Sequence, residues 1–200
     1  MGRSSLTTAR ASAVLLATAL TAVALAPAAS ADQAAPVPPV RSVDLSRYGG
    51  TWYQLAAVPR LFEIQCAKNV KAVYGPTARG AVAVTNSCAT WLGTTSRISG
   101  EALPLDATHA RLNVSFLPWK GGYRHGTEAN YIVAGLGAAY EWALVTGEGR
   151  TSGFVLSRTA RLDPARTADV VDAIRRAGLD PADFRTTRQD GGDPGWRLTP

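Results

Sequence analysis

Histidine and cysteine are scarce, with two of each, and a single methionine is present among 200 residues. The two histidines, His109 and His125, have no cysteine or carboxylate at the spacing of a metal-ligand set, so no metal and no organic cofactor is expected. They read as exposed polar residues. Neither a Gly-x-Ser-x-Gly elbow nor a glycine-rich phosphate loop occurs, and no catalytic residues are assigned. Lysine is equally sparse, confined to Lys68, Lys71 and Lys120, and the arginines are scattered along the chain. Nucleic-acid binding needs a clustered basic face, and none is evident. After residue 25 there is no apolar run long enough to cross a bilayer as a helix.

What is present begins with an export signal. Arg3 and Arg10 precede an unbroken apolar stretch from Ala11 to Leu25, followed by the small residues Ala29-Ser30-Ala31. Residues 1–31 are expected to be a cleaved signal peptide. No cysteine near the cleavage site offers a lipid attachment point, so a secreted, extracellular protein is expected. Loss of Arg3 and Arg10 leaves 19 basic against 15 acidic residues, a net charge of +4. In an exported chain, Cys66 and Cys88 are expected to form a disulfide, worth about 3 kcal/mol on a loop-closure basis.

Residues 32–42, rich in Ala and Pro, read as a flexible leader. Beyond them come eight short β-type runs bounded by Gly, Pro, Asn or Asp, at 51–58, 68–75, 80–87, 94–103, 109–116, 129–136, 140–146 and 152–159. Eight antiparallel runs with short connections predict an all-β fold, an eight-stranded up-and-down barrel without exposed edges. After residue 159 the period changes. Asp163-Pro164 is a helix start, Val170, Val171 and Ile174 lie on one stripe, and Gly178 is a stop. This single amphipathic helix is expected to lie on the outside of the barrel. One domain over 43–188 and a flexible tail at 189–200 complete the organisation.

Gly50, Trp52 and Arg158 form the most telling constellation. Trp52 opens the first strand-like run and Arg158 closes the last, so a closed sheet brings them together, with a guanidinium stacked over an indole. Tyr48-Gly49-Gly50-Thr51-Trp52-Tyr53 resembles the first motif of the lipocalins, and Leu156-Ser157-Arg158-Thr159 their third. The resemblance continues in order through Tyr74, Val84–Cys88, Leu112–Phe116, Asn130–Val133 and Tyr140–Val145, and covers about residues 43–188. It is strongest to the bacterial lipocalins, which are similar to apolipoprotein D. One departure is that Gly137-Ala138-Ala139, with no acidic residue, precedes Tyr140, so the turn there is expected to be loose or held by backbone alone. The segment Leu117–Gly126 is longer than a tight hairpin and is expected to be a mobile loop away from the ligand portal.

The resemblance implies a carrier of a small hydrophobic ligand, such as a fatty acid, lysophospholipid or isoprenoid. Strand alternation assigns Ala56, Val70, Ala72, Tyr74, Leu112, Val114, Phe116, Tyr131, Val133, Trp142, Phe154 and Leu156 to the ligand-lining face. Phe62 and Trp91 are expected to fringe the mouth, with Arg60 and Lys68 placed to pair with an acidic head group. Peripheral membrane contact is expected alongside the ligand. An interaction scaffold acting through the loops is the first alternative. A lipid-modifying enzyme is the second, disfavoured because both cysteines are used in the bridge.

Overall fold

The computed structural model describes residues 1–2, 35–194 and 196–198. Most of the expected signal segment and the first residues of the leader lie outside the described residues. Eight strands close on themselves: β1 (Gly50–Ala57), β2 (Cys66–Pro76), β3 (Val82–Thr90), β4 (Thr95–Pro104), β5 (Arg111–Ser115), β8 (Tyr131–Leu136), β9 (Trp142–Thr146) and β10 (Gly153–Ser157). Each pairs antiparallel with its neighbour, and β10 returns to β1. Between β5 and β8 the chain makes a two-stranded hairpin, β6 (Pro118–Trp119) and β7 (Gly122–Tyr123). A helical turn, α1 (Leu45–Tyr48), precedes the barrel; α2 (Pro164–Arg176) and a short strand, β11 (Arg185–Thr186), follow it.

Two apolar layers result. The inner one holds Trp52, Ala72, Tyr74, Val84, Ala102, Ala110, Leu112, Val133, Ala143, Val145 and Leu156. The outer one sandwiches α2 against the wall: Val170, Val171, Ala173 and Ile174 meet Leu55, Trp142, Leu144 and Val155. The helix starts where Asp163 accepts the Arg166 N–H at 2.9 Å. It ends at Gly178, whose φ of +75° lets the Leu179 N–H reach back to the Ile174 carbonyl. Close approach of helix and wall depends on Gly135, where a Cβ would lie 2.8 Å from that of Ala173.

Described residues of the expected leader and tail are tied to the barrel. Val37 is buried, with its N–H on the Glu148 carboxylate, and the Val40 N–H bonds the Val133 carbonyl. At the other end, β1 leaves β2 after Tyr53, and β11 fills the opening by pairing with Ala56 and Ala57. The Gln189 amide then donates to the Gln54 and Val70 carbonyls, and Asp190 accepts from Lys68 and Asn69. Farther on, the Trp196 indole bonds Thr167, and Leu198 is buried. Strand carbonyls of Val133, Gln54 and Val70 are the acceptors for Val40 and Gln189.

Candidate functional site

The closed end is built around Trp52. Its ring is fully buried, its Nε1–H donates to the Tyr48 carbonyl at 2.7 Å, and the Arg158 guanidinium lies 3.9 Å from the ring centroid. Arg158 also donates to three carbonyls, of Thr51 at 2.9 Å, Arg47 at 2.6 Å and Tyr140 at 3.3 Å. One planar cation thus ties β1, α1 and the β8–β9 turn while covering the indole. Gly50 is required beside it because its φ is +87°, a conformation that side chains seldom adopt.

The turn before Tyr140 is held by a side chain. Glu141, the residue after Tyr140, accepts the Ala139 N–H at 3.0 Å and pairs with Arg166 of α2 at 3.5 Å. The acidic function expected before the tyrosine is therefore supplied after it.

Above Trp52, three phenols form a chain. The Tyr48 and Tyr131 hydroxyls are 2.8 Å apart, and Tyr131 donates to Tyr74 at 3.0 Å. Burial pushes Tyr74 up to about 12 and raises Tyr48 and Tyr131 further, Tyr131 also through the neighbouring phenols. These acids are neutral when folded and ionise near 10 when unfolded, so stability is full below pH 10 and falls as pH rises toward 12 and beyond. The expected loss from Tyr74 alone is about 3 kcal/mol. In an alkaline titration followed at the phenolate absorbance band, three of the six tyrosines should appear only together with loss of β-sheet circular dichroism.

Of the twelve expected lining residues, nine belong to the inner layer: Ala72, Tyr74, Leu112, Val114, Phe116, Tyr131, Val133, Phe154 and Leu156. Three do not. Ala56 lies in the outer layer because β1 bulges between Gln54 and Ala56, which shifts the alternation by one. Trp142 is also in the outer layer, against α2, while Ala143 and Val145 face inward. Every residue of β9 is buried, so its sequence carries no polar face to set the phase. Val70 is half-buried and joins neither layer; it follows Asn69, whose φ is +58°, where the β2–β3 register slips. Val43, Leu45, Tyr48, Val82 and Ala102, which the strand alternation did not assign, and His109, expected to be exposed but half-buried, complete the closed end around a cavity of about 20 Å³, room for about one water. The apolar alternation of Val82 and Val84 was the available signal for β3.

Toward the other end, Phe116 and Phe154 are half-buried. Asn86 is in register with Ala72 and in phase with Val84, and its Oδ1 is buried without a hydrogen-bond partner among the described residues. Phe62 and Trp91 stand exposed at this rim, on connections whose adjoining strands β2 and β3 are joined by the Cys66–Cys88 disulfide. Arg60 donates to the Thr151 carbonyl at 3.0 Å. Lys68, expected to meet a ligand acid, is already 2.8 Å from Asp190. His125 is not an exposed polar residue: it fastens the β6–β7 hairpin to the outer wall through Asn113, at 3.0 Å, and Glu101, at 3.3 Å. The hairpin is also tied to the β2–β3 turn by Arg79, which donates to the Gly121 carbonyl. The segment expected to be mobile is thus a fastened hairpin.

A family model described as a lipocalin-like domain matches residues 43–189. Outer membrane lipoprotein Blc of Escherichia coli is 33% identical over 164 residues, spanning 78% of this chain and 88% of that protein. Among solved structures, the cockroach allergen Per a 4 superposes with a TM-score of 0.60 at 18% identity, covering 78% of this chain and 94% of the allergen. The amine binding protein of Rhodnius prolixus, solved as its tryptamine complex, gives 0.57 at 16% identity, covering 75% and 83%. At these identities the two structures speak for the fold alone.

Proposed function

The chain belongs to the lipocalin family, and from that premise we propose that it is an exported, non-enzymatic carrier that sequesters one small hydrophobic molecule in its barrel. The observation that carries this reading is the mostly apolar inner wall, sealed at one end by Trp52 and Arg158, with Phe116 and Phe154 half-buried toward the other. Fatty acids, lysophospholipids and isoprenoids fit such a wall. Apolar burial alone is worth about 25 cal/mol per Å² removed from water. The acceptor at Asn86 suits a donor group on the ligand, such as a hydroxyl. The closed end is already filled, so the ligand occupies the half nearer the rim, with the two phenylalanines moving aside. Consumption of both cysteines in a disulfide supports a carrier over a thiol-dependent enzyme.

The test is titration of delipidated protein with fluorescent fatty acids and retinol, paralleled by native mass spectrometry. Saturable uptake of one ligand per chain is expected, and Val114→Trp, at a half-buried inner position, should abolish it with the thermal melt retained. Absence of saturable uptake across acyl and isoprenoid ligands would overturn the reading.

A further inference from the structure

The barrel end opposite the Trp52–Arg158 closure holds five large apolar side chains in water. Leu61, Phe62 and Ile64 in the β1–β2 connection are 87%, 61% and 74% exposed, and Trp91 and Leu92 at the β3–β4 turn are 71% and 89% exposed. Single exposed apolar residues are ordinary, whereas a contiguous group marks an interaction surface. These five form one group. The Trp91 N–H donates to the Gln65 carbonyl at 3.3 Å, its indole Nε1–H to the Ile64 carbonyl at 2.9 Å, and the Cys66–Cys88 bridge links the strands beneath. The indole therefore satisfies its polar edge on the neighbouring loop and leaves its ring outside. A 3₁₀ turn over Leu61–Glu63 orders the backbone that carries the first two. The two connections behave as a single braced projection.

Charge around the projection is one-sided. Arg60 precedes Leu61, while Lys71 and Arg97 sit on either side of Ser87 in one row across β2, β3 and β4; all three cations are exposed. Two acids are near. Glu63 is half-buried beside the Gln54 amide, and burial holds its carboxyl above the usual range. Asp190 is taken up by Lys68 and Asn69. An apolar tip backed by a basic collar matches a surface whose oily interior lies just beyond a plane of negative charge.

We propose that this projection docks the protein on an anionic lipid bilayer, with Leu61, Phe62, Ile64, Trp91 and Leu92 entering the acyl boundary and Arg60, Lys71 and Arg97 lying among the phosphates. The docking does not depend on whether the barrel carries a ligand. If it does, the rim faces the bilayer and a lipid can pass between them without crossing water.

The experiment is co-sedimentation of residues 35–200, which form one compact unit, with phosphatidylglycerol–phosphatidylcholine vesicles and with phosphatidylcholine alone. Starting at residue 35 removes the apolar stretch at 11–25, whose own affinity for lipid would mask the result. Binding should favour the anionic vesicles, weaken with salt, and fall by about tenfold or more in Leu61→Ser/Leu92→Ser. Circular dichroism and ligand uptake should be unchanged in that variant, because both side chains are exposed. Brominated lipids should quench the protein less when Trp91 is replaced by Phe. Vesicle binding that is absent, or that survives the double substitution, would overturn the proposal. So would a dimer in sedimentation velocity that the double substitution dissolves, since the face would then belong to a second copy.

Discussion

Arg158→Ala is expected to destabilise the fold by about 3 kcal/mol, and Arg158→Lys by more than half as much. The guanidinium donates to three carbonyls from three segments and covers the Trp52 ring at 3.9 Å. An ammonium keeps the charge but cannot reach three acceptors in one plane, so Lys recovers the cation–π term and little else. Urea unfolding should show a lower midpoint with an unchanged slope, because the same surface is exposed on unfolding. Ligand affinity should change much less than stability, since Arg158 lies at the sealed end. Equal losses in both would mean that the closure shapes the binding half directly.

Ile174→Asp is expected to be more damaging, at about 4 kcal/mol or more. Ile174 is fully buried between α2 and the wall, against a layer that includes Trp142, Leu144 and Val155. That layer is built of apolar side chains, so a carboxylate there either stays neutral at a cost or releases the helix. Release would expose the outer wall of β8, β9 and β10, and aggregation on heating should follow. Arg175→Ala, one residue on, is the control: its 3.5 Å pair with Asp172 is solvent-exposed and should be worth less than about 0.5 kcal/mol. Refolding yield and the thermal midpoint of both variants check the contrast.

Much of this architecture was legible in the chain. Regular spacing of short strands announced the barrel, Asp163-Pro164 and Gly178 bracketed the helix, and Trp52 with Arg158 announced the closure, because each depends on residues close in sequence or on strand order alone. In β5, where polar and apolar residues alternate, the inner set of Ala110, Leu112, Val114 and Phe116 was also readable. The polar supports were not. Glu141 bracing its own turn, Gln189 bridging β1 to β2, and His125 pinning the hairpin all join partners whose adjacency exists only after the sheet closes.

By itself, then, the sequence determined the eight barrel strands, the closed end and the trailing helix, through local periodicity and turn chemistry. Tertiary structure alone decided which face of β9 looks inward, because α2 buries its other face and erases the alternation. It also decided, through a one-residue bulge in β1, that Ala56 packs against the helix layer and not inside the barrel. Finally, it decided that five exposed apolar residues from two connections stand together, because the register of β2 on β3 and the bridge between them set those loops side by side.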